Sequence, residues 1–227
     1  MSTKYIASNW RLPNKAGVDS YLNDNYGLSF NGNNEHIDTG DAFTSLTLFS
    51  VSAWFKSDDT ATAAQAIVSS RINSIGSSQG LDLNISGDVL FARIYNNGAT
   101  QVTTAFTDTA SWHHVAMTYN GTTLELFLDN VSQGTATGVY TNSAANWIIG
   151  KWNNGANYFN GSISEVAVFD YALSSTQVST LYGSSSLGAG NPMALKPAPV
   201  AFYPLGDNSS GNPLTQPNEA VEDASVF

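Results

Sequence analysis

Apolar and polar residues alternate with a period of two through much of the chain, and each run stops at a cluster of Gly, Asn, Asp or Ser. Phe49, Val51, Ala53 and Phe55 share one parity, and Ser50, Ser52, Trp54 and Lys56 the other. That pattern predicts a half-buried strand with Trp54 on the opposite sheet face. Shorter runs predict strands over 26–30, 35–39, 66–70, 81–85, 89–95 and 112–119. Leu124, Leu126 and Leu128 alternate with Glu125, Phe127 and Asp129, and another short strand begins at Trp147. Between them lie the turn compositions 31–34, Ser86-Gly87-Asp88 and Asn120-Gly121, the last being the strongest type I′ hairpin signal.

The period changes once, near residue 170. Ile163, Val166 and Val168 form a β-branched run, after which Ser174 has the form of a helix N-cap with Gln177 as its capping-box partner. Leu173 before the cap is placed to staple onto Val178. Val178, Leu181 and Tyr182 fall on one helical face, and Gly183 ends it. Many antiparallel strands and one short late helix predict an all-β fold, a two-sheet antiparallel jelly-roll sandwich with an extra strand-bearing tail.

Four segments follow from this. Residues 1–25 read as an extended arm, broken by Pro13, Asn14, Gly17, Asp24 and Asn25 and anchored by Trp10; residues 26–183 form the domain. Residues 184–199, rich in Ser, Gly, Ala and Pro, read as a linker, and 200–227 as a tail whose strand covers 200–205.

Charge narrows the partners. The 227 residues carry only 8 Lys and Arg against 18 Asp and Glu, a net charge of -10. Such a chain has too few clustered cations to hold nucleic-acid phosphates or an anionic membrane surface. There is no cysteine, so neither disulfides nor thiolate metal sites arise. The first residues lack the apolar core of a secretory signal, and no stretch reaches the ~20 apolar residues of a membrane span.

The segments LSFNGNNEHIDTGD, FSVSAWFK, SWHHVAMTYNGTTLELFLDN and NYFNGSISEVAVFDYALSSTQV, in that order, resemble the laminin G-like, concanavalin A-like jelly-roll superfamily over 26–182. The resemblance implies a β-sandwich and binding to glycans or protein surfaces, without fixing a function. VAFYPLGDNSSGN at 200–212 resembles the opening strand of such modules, and Pro13-Asn14-x-Ala16 returns as Pro217-Asn218-x-Ala220. Three readings of the tail stay open: the start of a further module, closure of the chain's own sandwich, or donation to another copy. The pairing of PLG and PN segments around such a module also resembles virion surface proteins of marine bacteriophages.

Catalysis has no support. Laminarinase relatives carry acid and nucleophile in an E-x-D-x-x-E strand, which does not occur here. Glu125 and Asp129 stand four apart at a hairpin end, and Glu165 has apolar neighbours. His113 and His114 are adjacent in a strand, so their rings face opposite ways and cannot share one metal; packed or capped histidines are expected. Pentraxin relatives place Glu-Gln-Asp where this chain has Lys151-Trp152-Asn153-Asn154, so the resemblance implies no two-ion calcium cluster. No cofactor is required; a single Ca²⁺ would draw on Asp38, Asp41, Asp58, Asp59 or Asp207. The loops 72–80, 95–101 and 151–158 would gather at one end if they leave their strands as in relatives. Arg71, Tyr95, Asn96, Asn97, Trp152, Asn153, Asn154 and Tyr158 would then present rings beside amides, the chemistry of glycan contact.

The expected function is a non-enzymatic structural or decorating protein on a virion or cell surface, outside the cell, assembling with copies of itself or other surface proteins. The alternative is a lectin-like adhesion module that binds a glycan.

Overall fold

The structure is a computed structural model that describes residues 21–22, 27–61, 64–74, 77–153, 155, 157–183 and 189–205. In chain order the strands are β1 (Tyr21–Leu22), β2 (Leu28–Asn31), β3 (Ile37–Asp38), β4 (Phe49–Ser57), β5 (Gln65–Ser69) and β6 (Ile72–Ser74). They continue with β7 (Ser77–Ser86), β8 (Val89–Asn96), β9 (Ala99–Ala105), β10 (His113–Tyr119), β11 (Thr123–Leu128) and β12 (Val131–Thr137). After β13 (Ile148–Ile149) and β14 (Asn160–Phe169) come helix α1 (Ser175–Tyr182), β15 (Ala189–Gly190) and β16 (Ala201–Tyr203).

Two seven-stranded antiparallel sheets pack face to face, as the alternation predicts. Sheet one runs β12-β11-β10-β4-β14, with β2 and β16 both on the far edge of β14. Sheet two runs β3-β13-β5-β7-β8-β9, with β6 on β7. Phe49, Val51, Ala53 and Phe55 from one side meet Leu81, Leu83 and Ile85 from the other in a closed apolar core.

A second, smaller core lies outside sheet one. Ala116, Phe127, Ala167 and Phe169 point away from the main core and are covered by Leu173, Val178, Leu181, Leu195 and Phe202. The helix is set there by the signals in its sequence: Ser174 caps it, the Ser174–Gln177 box is complete, and Leu173 packs with Val178. Trp54 also lies on this side, stacked on Tyr182 with centroids 5.7 Å apart.

Several expectations need correction. β9 and β12 were not foreseen, because both are edge strands whose side chains are mostly exposed and so lack apolar alternation. The loops expected over 72–80 and 95–101 are largely strand: β6 and β7 form a hairpin, and only Asn97 and Gly98 separate β8 from β9. The two-residue type I′ turn occurs at Gly87-Asp88, both at positive φ between the paired Ser86 and Val89. At Asn120-Gly121 only Gly121 has positive φ; the Asn120 side chain instead accepts from the N–H groups of Thr122 and Thr123 in a longer loop.

Of the described residues beyond 183, Leu195 and Phe202 pack on sheet one and β16 joins it, whereas β15 forms a separate two-stranded sheet. β15 pairs with β1, the only part of the expected N-terminal arm among the described residues. Within the expected linker Asn191 caps a short 3-10 turn over Pro192–Ala194, and Leu195 is buried. β16 pairs with β14 of the same chain, so this strand closes its own sheet, and the sheet extends past the boundary expected at 183. The rest of the tail, 206–227, lies outside the described residues.

Candidate functional site

The two sheets differ on their outer faces. α1 and the 191–202 segment lie on sheet one, so among the described residues no helix covers the outside of sheet two. Period-two alternation decides what stands there: while Leu81, Leu83 and Ile85 enter the core, Asp82 and Asn84 point outward. Yet both are 0% exposed. Other side chains on the same face cover them.

The cover is built from β5, β8 and the segment after β13. Asp82 sits in a cross-strand row with Ile148, Ser69, Arg93 and Gln101. Its carboxylate accepts from Ser69 Oγ at 2.8 Å and from Tyr95 Oη at 2.7 Å, and lies 3.6 Å from Arg71 Nη1. The Arg71 guanidinium is held between two rings, 4.5 Å from the Tyr95 centroid and 5.0 Å from that of Trp152. Further along, Arg93 lies 3.7 Å over Phe91 and donates to Gln101 and Asn84.

Gly80 makes the close approach of Ser70 and Arg71, just after β5, feasible. A Cβ there would stand 2.5 Å from the Ser70 carbonyl oxygen and 3.0 Å from Arg71 Cα, and its φ of +95° favours glycine in any case. Burial pushes the Asp82 carboxyl above its ordinary value, while the Tyr95 and Ser69 hydroxyls and the Arg71 and Arg93 charges oppose it. Burial and the neighbouring Asp82 likewise push the Tyr95 phenol up.

Of the expected glycan residues, Arg71, Tyr95 and Trp152 are brought into one stack. Asn96 is exposed beside them at the end of β8, and Asn97 at φ 60° forms the hairpin tip, its N–H donating to the Ser78 carbonyl. Asn153 Nδ2 donates to the Asn146 carbonyl oxygen. Tyr158 is engaged elsewhere, 5.1 Å from Lys151 Nζ and 6.0 Å from the His36 ring. Asn154 lies outside the described residues. Ser69, Asp82, Asn84, Phe91, Arg93 and Gln101 were not foreseen, although Asp82 and Asn84 interrupting a Leu-Leu-Ile parity was a legible signal.

The expected calcium residues sit at turns. Asp38 accepts from Gly40 N–H and from Asn146, Asp41 from Phe43 N–H, and Asp59 from Ala61 N–H. Asp58 donates its own N–H to the Asn160 carbonyl, and Asp207 is outside the described residues. Among the described residues no three His, Asp or Glu side chains gather as a metal site would require.

Glu125 and the two adjacent histidines are occupied structurally. Glu125 accepts from Ser132 Oγ at 2.6 Å. His113 lies on the core side of β10, between Asp129 at 2.6 Å and Asp108 at 3.2 Å, against Phe55 and Phe106. His114 faces the helix side, with Ser52 Oγ at 2.8 Å and the rings of Trp54 and Tyr182 beside it.

Residues 31–179 match the family described as the concanavalin A-like lectin/glucanases superfamily. No curated protein matches the chain. Among solved structures it is similar to the CBM40 of the Ruminococcus gnavus IT-sialidase bound to alpha2,3 sialyllactose, with 15% identity and a TM-score of 0.58, covering 67% of this chain and 94% of that one. A putative carbohydrate binding protein from Bacteroides ovatus has 21% identity and a TM-score of 0.55, covering 80% and 52%. Domain 4 of AbnA, an extracellular arabinanase from Geobacillus stearothermophilus in complex with arabinotriose, has 20% identity and a TM-score of 0.52, covering 66% and 73%. At these identities the likeness is one of fold.

Proposed function

We propose, from the premise that this chain belongs to the concanavalin A-like lectin and glucanase superfamily, that it is a non-catalytic glycan-binding module reading saccharides with the outer face of sheet two. The observation that carries this reading is the Arg71 stack: a guanidinium fixed by two rings and a buried carboxylate, with its side chain still 18% exposed. A sugar offers hydroxyls in a fixed array and an apolar ring face; it is held by pre-oriented polar groups beside aromatic surface. Trp152 and Phe91, both partly exposed, supply such surface at either end of the face. Among the described residues the acids in the cross-strand row of this face are Asp82, which is sealed by its own partners, and Asp38, three strands away, which accepts from Gly40 N–H and Asn146.

Similar folds serve as binding modules attached to an IT-sialidase and an extracellular arabinanase, which supports a cell-surface or extracellular setting. A glycan array with the full chain tests the reading. Binding that falls by at least about tenfold, roughly 1.4 kcal/mol, in Trp152→Ala and Phe91→Ala supports it. Unchanged binding in both variants, or no ligand at all, ends it.

A finer reading makes the module a decorating protein of a virion or cell surface, built from several copies and attaching through the same face. What favours it is the β14 edge, which is completed by two short strands, β2 and β16; a strand of three residues is one that another copy's equivalent strand could supply in its place. Size-exclusion chromatography with light scattering decides: an oligomer lost on removing 197–227 supports this reading, and a monomer opposes it.

A further inference from the structure

The donors and acceptors on the outer face of sheet two do not balance. Asp82 is its one carboxylate near the stack, and both oxygens are taken by Ser69, Tyr95 and Arg71. Two of the chain's 8 cationic residues, Arg71 and Arg93, flank it. Around the stack one carboxylate against two guanidiniums leaves that part of the face cationic, while Asp38, at the other end of the row, is turned to Gly40 N–H and Asn146, on a chain whose net charge is -10.

Three N–H donors on this face meet no acceptor among the described residues: Arg71 Nε and Trp152 Nε1 in the stack, and Asn84 Nδ2 further along beside Arg93. Buried donors left without partners are costly. The described residues therefore leave a surplus of donors on this face. The rings add a constraint. The Tyr95 face and one Trp152 face are already occupied by Arg71, so a ligand reaching the stack meets the open guanidinium edge rather than a second free aromatic face.

We infer that the preferred ligand is an acidic saccharide, one whose carboxylate or sulfate docks on the Arg71 guanidinium edge with Arg93 beside it. This rests on the glycan-binding reading above. An oxyanion presents paired acceptors in a plane or tripod that a guanidinium fork matches, which a neutral hydroxyl does not.

Titration calorimetry of the full chain separates the outcomes. The probes are matched pairs: oligogalacturonate against its carboxyl-reduced form, 3′-sialyllactose against lactose, and a sulfated galactan oligosaccharide against its desulfated form. Affinity at least about tenfold higher for the acidic member of a pair, weakening as salt rises, is the expected result. Which pair responds tells carboxylate from sulfate. In Arg71→Met the preference collapses to within about twofold, and in Arg71→Lys it is retained only in part, because the ammonium keeps the charge and loses the fork. Should Arg71→Met fail to fold by circular dichroism, Arg93→Met gives the same reading at the second cation. Equal affinity for acidic and neutral members overturns the inference and leaves the glycan-binding reading standing. No binding by any saccharide overturns both.

Discussion

Tyr203 is paired with Val166 across antiparallel backbone, so the last described strand lies in the chain's own sheet. The pairing places Tyr203 in the main core, while Phe202, one residue earlier, faces the other way into the cluster beneath α1. One three-residue strand thus seals both apolar layers.

Phe202→Ala is expected to destabilise the protein by about 3–5 kcal/mol, the range for emptying a buried aromatic site. The check is urea unfolding, in which the midpoint falls while the slope stays the same. An unchanged midpoint would show that β16 is not docked in solution.

Asp82→Asn keeps the shape of the buried side chain and removes the charge facing Arg71. A loss of about 1–3 kcal/mol follows from leaving the guanidinium without its buried partner. The Trp152 environment should change with it, since the ring packs on that guanidinium. Thermal unfolding and tryptophan fluorescence, compared in Asp82→Asn and Trp152→Phe, test this; identical spectra before and after substitution would contradict the stack.

The two adjacent histidines pull stability in opposite directions with pH. The hydrogen bond to Asp129 is the chief cause holding the His113 value above the ordinary one of about 6.5, against some desolvation. Its contribution is complete below that value and fades as pH rises through the raised one. Burial drives His114 down to about 4. It costs nothing above about 6.5, and stability is lost as pH falls from there towards 4, because the unfolded chain takes up the proton first. His114→Gln should flatten the acid limb of stability against pH, and His113→Gln the alkaline one. Unfolding curves between pH 4 and 8 show whether either limb survives its substitution.

Calcium is expected to leave the melting temperature unchanged. The Asp38, Asp41 and Asp59 carboxylates already accept N–H groups of their own turns, whereas Ca²⁺ needs about six to eight oxygens converging at one point. A rise in melting temperature with millimolar Ca²⁺, reversed by chelator, would reveal a site that these turns do not provide.

Local information reaches some features and stops at others. Residues near one another in the chain suffice for the helix and most of the inner strands. Ser174, Gln177 and Leu173 act on groups within a few residues, and the Phe49–Phe55 and Leu81–Ile85 parities follow from the pleat alone. The opposed faces of His113 and His114 were legible for the same reason. Exposed edge strands such as β12 were not, because a strand held by backbone bonds on one side needs no apolar pattern.

Contacts between distant segments fix where Arg71 rests and which sheet receives Tyr203. Trp152 joins Tyr95 through the sheet order, which no spacing records, and Tyr158, six residues further on, turns to His36 instead. The place of β16 beside β14 is likewise a matter of long-range pairing: the residues 201–203 favour a strand, but their partner is set by the burial of Tyr203 and Phe202 on opposite faces of one sheet.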